Sequence, residues 1–218
     1  MKPVALIFDF DGVLVDSHQP HVSAWKKAHL ELFQLELTHI DQIVGKSGQQ
    51  IAQELSKKQG RQKDADIFYQ RKSELVFNSS LEIPLLPGVE ELLKDLQLKK
   101  IPFGIGSNAR YKFILDLLER HGIDVPVTIS FDHVERPKPH PEPFVMCAEA
   151  LNIIPEDFPK VLVFDDSPIG ILAAVDAGMT PIGVTTQISS EKLLAVGAVA
   201  TCRDLQEVLD KGWHLKFN

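Results

Sequence analysis

Cysteine is scarce in this chain, with only Cys147 and Cys202 among 218 residues. So sparse a use excludes a disulfide scaffold. A single bridge between the two stays open; two buried thiols in a reducing compartment are the favoured reading. Long apolar runs are missing too, none approaching the ~20 residues of a membrane span, so no membrane partner is expected. A basic excess is also absent. The formal net charge is −7, which leaves nothing to neutralise a nucleic-acid backbone, and no nucleic-acid partner is expected. Met1 to Phe8 runs straight into a charged motif without a signal-peptide cleavage pattern, so a cytoplasmic location is the expectation. No repeat or low-complexity tract is visible. What is present, 44% hydrophobic and 24% charged residues, is the balance of an ordinary globular chain. Its length suits one large domain, or a core with a smaller partner.

Five short apolar runs end in polar residues. Val4–Phe8 leads into Asp9, Pro102–Gly106 into Ser107 and Val127–Phe131 into Asp132; Val161–Phe164 leads into Asp165 and Pro181–Val184 into Thr185. Runs this short and apolar on both faces suit buried parallel strands. Helical stretches lie between them. Val89–Lys100 follows Pro87-Gly88; Arg110–His121 stops at Gly122 and Ser167–Ala177 at Gly178, both glycines placed as C-terminal caps. The alternation points to an α/β fold, a doubly wound parallel sheet with helices on both faces.

Ser17 to about Ile83 breaks this rhythm with helix-like segments at Gln19–Phe33, about Gln49–Gln59 and Ala65–Asn78, and no convincing strand. The expectation is a core of residues 1–16 and 84–218, with an all-helical unit of residues 17–83 inserted after the first strand. Such an insert is well placed to act as a lid.

In an open parallel sheet the strand C-termini share one edge, where ligands bind at the topological switch point. The groups at these ends are Asp9 with Asp11, Ser107 with Asn108, Asp165 with Asp166, and, just after the Phe131 run, Lys138. Four carboxylates so close cannot all be ionised without a counter-charge. A hard divalent cation resolves this, and all-oxygen ligation favours Mg²⁺, held by Asp9 and Asp166 with Asp165 and Asp11 beside them. Lys138, the Ser107 hydroxyl and nearby N–H groups, Asn108 among them, can hold phosphate oxygens. A carboxylate fixed there can attack phosphorus, making Asp9 the nucleophile. Asp11 can protonate the departing oxygen and then take a proton from water.

Each element has a plainer reading taken singly. Asp-x-Asp-Gly is commonly a turn, Asp165-Asp166-Ser167-Pro168 a helix start, and Ser107 a cap for the next helix. Their joint placement at different strand ends favours one catalytic cleft.

These segments resemble the haloacid dehalogenase superfamily. Asp9-Phe10-Asp11-Gly12-Val13 is similar to its first motif, Gly106-Ser107-Asn108 to its second, Lys138-Pro139 to its third and Phe164-Asp165-Asp166-Ser167 to its fourth. The resemblance covers essentially the whole chain and implies a Rossmann-like core with a small helical cap inserted after the first motif. Dehalogenases lack the second aspartate and phosphonoacetaldehyde hydrolases carry alanine there, so retention of Asp11 implies phosphate-ester chemistry.

The helical insert looks like the β-phosphoglucomutase and sugar-phosphate phosphatase branch. His21-Val22-Ser23-Ala24-Trp25-Lys26 is similar to its His-x-x-Ala-Trp segment, and Arg71-Lys72 to a cap lysine of the mutase. His21, Trp25, Lys46 and Lys72 are therefore candidate substrate residues, although Trp25 at apolar spacing also reads as core packing. Gly48 stands where the mutase loop carries an arginine that grips a second phosphate. The expectation is thus a monomeric, Mg²⁺-dependent phosphatase acting on small phosphorylated metabolites, sugar or polyol phosphates foremost. A β-phosphoglucomutase-like isomerase is the alternative, and a non-catalytic phosphometabolite sensor a more distant one.

Overall fold

Apolar on both faces, Ala5–Phe8 forms β1, a fully buried strand. In the computed structural model, which describes residues 1–38, 48–79 and 82–217, it is joined by β2 (Phe103–Gly106), β3 (Thr128–Ile129), β4 (Val161–Asp165), β5 (Thr180–Val184) and β6 (Ala200–Cys202). They form one six-stranded sheet in the order β3-β2-β1-β4-β5-β6, with every neighbouring pair parallel. The doubly wound, Rossmann-like expectation is borne out. β1 lies between β2 and β4, where the winding reverses, and Phe8 is in register with Ile105 on one side and Phe164 on the other. The residues following these strands therefore meet at the switch point.

Two features depart from the sequence expectation. β6 was not foreseen; it has three residues and two of them are only half-buried, so it gives little apolar signal. The run Val127–Phe131 pairs only over Thr128–Ile129. Ser130 instead starts a tight turn over Phe131–His133, its hydroxyl accepting the Asp132 N–H while His133 Nδ1 accepts the Ser130 N–H.

The chain divides into two compact units, Met1–Asp16 with Leu85–Asn218, and Ser17–Pro84. The second contains α1 (His18–Phe33), α2 (Gly48–Lys58) and α3 (Ala65–Phe77). Its core gathers Trp25, Ala28, Phe33, Ile51, Ala52 and Leu55 around Phe68. The Phe68 ring lies edge-on to Trp25 and to Phe33, each at 5.1 Å. Such pairs add about 0.5–1.5 kcal/mol each beyond the area they bury.

In the first unit α4 (Val89–Leu98), α5 (Tyr111–Arg120) and α7 (Pro168–Asp176) stand where the sequence placed helices; α6 (Glu142–Ala150), α8 (Ser190–Ala195) and α9 (Leu205–Asp210) add to them. Gly122 and Gly178 follow their helices with positive φ, as caps do. Ala5, Ile7, Val161 and Val163 pack with Phe144 and Cys147 of α6 and with Ala173 and Ala174 of α7. Full burial contributes about 1.5–3 kcal/mol for each large side chain among them. Cys147 and Cys202 are both free and buried, and burial raises both thiols, Cys202 to about 12. No helix among the described residues is long and apolar enough to cross a membrane.

Candidate active site

Where β1 ends, the Asp9 N–H still donates to the Phe164 carbonyl at 2.8 Å, so the nucleophile candidate continues the β1–β4 pairing. The chain then winds tightly. The N–H groups of Val13, Leu14 and Val15 converge on the Phe10 carbonyl, and Gly12 N–H donates to Val15 O at 2.9 Å. Gly12 has φ +74, a conformation that suits glycine. A Cβ there would stand 2.1 Å from Asp166 Oδ2, so the loop can approach Asp166 only without a side chain. Asp11 is carried by this loop and is half-buried.

β4 ends in Asp165, whose carboxylate is completely buried and fully engaged. Its Oδ1 accepts from the Ser167 N–H at 2.9 Å and the Ser167 hydroxyl at 2.7 Å; its Oδ2 accepts from Lys138 Nζ at 2.8 Å. Ser167 caps α7, its hydroxyl oxygen accepting the Gly170 N–H, with Pro168 at the first helical position. The helix-start reading of this segment is thus borne out, and the same turn holds the Asp165 carboxylate beside Lys138. Gly170 leaves room for the Asp165 carboxylate, because a Cβ there would lie 1.8–2.1 Å from its atoms.

Lys138, 3% exposed, links the two strand ends. Its ammonium also stands 2.9 Å from Asp9 Oδ1, an ion pair between two buried side chains. Its position is fixed by Asn108. Asn108 Oδ1 accepts the Lys138 N–H at 2.9 Å and Asn108 Nδ2 donates to the Lys138 carbonyl at 3.2 Å. Asn108, expected to bind phosphate, has its amide committed to the Lys138 backbone. Ser107 is buried beside it, its hydroxyl accepting the Ala109 N–H at 3.2 Å. It does not cap α5: Arg110 holds that position, and Asp132 accepts the Tyr111 N–H.

Among the described residues, Asp9, Asp165 and Asp166 form the one cluster able to offer a metal three carboxylate oxygens within 4.8 Å. Asp11 stands outside it, although its charge is felt by Asp9 and Asp166. Burial raises Asp9 to about 6, with Asp165 and Asp11 adding to the rise and Lys138 opposing it. Burial, then the charges of Asp165, Asp9 and Asp11, push Asp166 well above the ordinary range. Burial alone would lower Lys138, but Asp165 and Asp9 outweigh it and hold the ammonium protonated.

Residues 6–184 match the family model of haloacid dehalogenase-like hydrolases. The chain belongs to that family. It is 30% identical to the phosphorylated carbohydrates phosphatase of Thermotoga maritima, over 94% of this chain and 96% of that protein. It is 29% identical to the fructose-1-phosphate phosphatase of Escherichia coli, over 82% of this chain and 95% of the other. The structure of β-phosphoglucomutase from Clostridium difficile aligns with a TM-score of 0.77 at 24% identity, covering 94% of this chain and 93% of that one, and shows the shared fold.

The donor set of this haloacid dehalogenase-like hydrolase suits a hard cation. Asp165 has both oxygens engaged by Lys138 and Ser167, whereas Asp9 and Asp166 keep an excess of buried negative charge. That excess matches oxygen ligation of a divalent ion.

Of the residues expected to meet substrate from the helical unit, Lys72 is buried and its Nζ is 2.6 Å from His21 Nδ1. Lys72 Nζ also lies over the Trp25 ring at 5.3 Å. Trp25 is 4% exposed and belongs to that unit's core. Arg71, next to Lys72, pairs instead with Glu31 and Glu74 at the surface. Lys46 lies outside the described residues. Gly48 is covered by Tyr69, whose Cε2 would meet a Cβ there at 2.4 Å.

One polar group escaped the sequence reading. The Thr186 hydroxyl, two residues beyond β5, donates to the Gly12 carbonyl at 2.7 Å and lies 3.3 Å from Asp166 Oδ2. The signal was available, since Thr185-Thr186 follows an apolar strand as Asp9, Ser107 and Asp165 do.

Proposed function

We propose that this chain is a Mg²⁺-dependent phosphatase that hydrolyses small phosphorylated metabolites, sugar or polyol phosphates foremost, through an aspartyl-phosphate on Asp9. As a haloacid dehalogenase-like hydrolase with phosphatase relatives, the chain is a phosphoric monoester hydrolase. The observation that carries the mechanism is the buried Lys138 ammonium held between Asp9 and Asp165 at the switch point, beside Asp166.

In this reading Asp9 and Asp166 hold the cation. Asp165 is a positioning residue, because its oxygens are committed to Lys138 and Ser167. When bound, Mg²⁺ neutralises the carboxylates and the phosphate oxygens and keeps Asp9 ionised. Lys138 and Ser107 orient the phosphoryl group, and Asn108 acts through its hold on the Lys138 backbone. An Asp9 oxygen attacks phosphorus, forming an Asp9–phosphorus bond as the phosphorus–alcohol bond breaks. Asp11 gives its proton to the departing alkoxide. Water then attacks phosphorus and yields its proton to Asp11, the Asp9–phosphorus bond breaks, and inorganic phosphate leaves with Asp9 again a carboxylate and Asp11 again protonated. The helical unit selects the substrate through His21 and Lys72, and the protein acts as a cytoplasmic monomer.

A β-phosphoglucomutase-like reading keeps one point of support, the His21–Lys72 pair. Gly48 weighs against it, because a glycine supplies no cation where the mutase loop carries an arginine. Incubation with β-glucose 1-phosphate and a trace of bisphosphate separates the two. Release of free phosphate faster than formation of glucose 6-phosphate is the expected result, and the reverse order overturns the phosphatase reading. No phosphate release from a broad panel of phosphorylated metabolites, with no glucose 6-phosphate formed either, would favour a sensor.

A further inference from the structure

The loop after β5 is pinned on both sides by adjacent threonines. Thr185 turns back to β6, its N–H and its hydroxyl both donating to the Cys202 carbonyl, at 2.8 and 3.2 Å. Thr186 reaches the other way, its hydroxyl bonding the Gly12 carbonyl at 2.7 Å with Asp166 Oδ2 3.3 Å away. One side chain thus touches both the loop that carries Asp11 and the carboxylate of Asp166.

That contact falls where the backbone leaves no slack. Gly12 approaches Asp166 so closely that a Cβ would collide with both of its carboxylate oxygens and Cγ, at 2.1–3.3 Å. Asp166 is 6% exposed, and the loop itself is wound on the Phe10 carbonyl. Asp166 has no tether from Lys138 comparable to that of Asp165, whose oxygens are fully engaged. Thr186 as a residue is exposed, so its hydroxyl is engaged without the side chain filling a core position.

We infer that Thr186 is a positioning residue for the cation site, orienting Asp166 and the Gly12 loop through its hydroxyl. The inference rests on the proposed Mg²⁺ role of Asp9 and Asp166. Groups that bond to metal ligands set their direction before the ion arrives, and losing one weakens metal affinity about 10–100-fold. A carboxylate free to turn must be reordered on binding, so the deficit falls on affinity and vanishes once the ion is saturating.

The test is a Mg²⁺ titration of metal-stripped protein, read as the rise in melting temperature without substrate, for the wild type, Thr186→Val and Thr186→Ser. Valine keeps the shape and removes the hydroxyl; serine keeps the hydroxyl. The expected result is equal melting of the three stripped proteins and a Mg²⁺ midpoint raised about tenfold or more in Thr186→Val. Thr186→Ser should titrate like the wild type, and kcat of Thr186→Val at saturating Mg²⁺ should return to near the wild-type value. An unchanged midpoint in Thr186→Val overturns the inference while leaving the Mg²⁺ reading intact. A stripped Thr186→Val that melts well below the wild type assigns the hydroxyl to the fold and also overturns it. Absence of any Mg²⁺ response in the wild type removes the reading on which the inference stands.

Discussion

Asn108 grips the main chain of Lys138 with both ends of its amide, accepting the N–H at 2.9 Å and donating to the carbonyl at 3.2 Å. The lysine that contacts Asp9 is therefore placed by its backbone as well as by its charge partners. Asn108→Ala should lower kcat by roughly 10²-fold through displacement of the ammonium, with a smaller change in KM. The lost backbone partners should cost about 1–3 kcal/mol of stability in a urea melt. A kcat within twofold of the wild type would show that Lys138 needs no such hold.

Gly170→Ala places a methyl group against Asp165, a carboxylate that cannot withdraw because Ser167 and Lys138 hold its two oxygens. Overpacking of this kind costs about 1–3 kcal/mol. Denaturant unfolding should show that loss, and turnover should fall with it. Stability equal to the wild type would mean that Asp165 is free to move.

Acidity should act on the metal-stripped protein in an unusual direction. Asp9 is raised to about 6 and Asp166 is raised as well, so between the ordinary carboxylate value of 3.8 and about 6 the folded chain binds more protons than the unfolded one. These groups accordingly lower stability as pH rises through that window. Mg²⁺ requires the ionised forms, so the rise in melting temperature that it produces should be small at pH 5 and large at pH 7.5. A Mg²⁺ increment equal at both pH values would contradict the buried-carboxylate account.

In the helical unit, packing and substrate contact should separate by variant. Trp25→Ala removes the ring that meets Phe68 at 5.1 Å and should cost about 3–5 kcal/mol. Trp25→Phe retains an aromatic ring and should leave KM unchanged. Lys72→Ala removes the cation paired with His21 and should raise KM for the preferred substrate. A large KM change in Trp25→Phe would move Trp25 from the core to the substrate side.

Much of this was legible in the sequence because buried parallel strands are apolar on both faces, so the acidic residue that ends each one stands out. Asp9 and Asp165 announced themselves in this way, and the three helices of the inserted unit emerged within a residue or two of their ends. What was missed lacks that contrast. β6 is short and half-buried. Val127–Phe131 reads as a five-residue strand because its tertiary turn, built on Ser130 and His133, leaves no mark in the apolar pattern. Asn108 and Asp165 stand at the strand ends expected of them, but hydrogen-bond partners fixed by tertiary contact are invisible to spacing. The commitment of Asn108 to the Lys138 backbone and of Asp165 to the Ser167 turn is therefore visible only in the structure. Thr186 is a neutral residue among several threonines, and only its meeting with Gly12 and Asp166 distinguishes it.

The central claim is that Asp9 carries the phosphoryl group in transit. It is tested most directly by acid-quenching Asp11→Asn, in which the water that attacks the intermediate lacks its base, during turnover of p-nitrophenyl phosphate, whose leaving group departs without a proton from Asp11, then mapping the adduct by mass spectrometry. The account expects a phosphoryl adduct on the peptide bearing Asp9, and a loss of turnover of about 10⁴-fold or more in Asp9→Asn. An Asp9→Asn protein that keeps most of its turnover, or an adduct on any other residue, would contradict it.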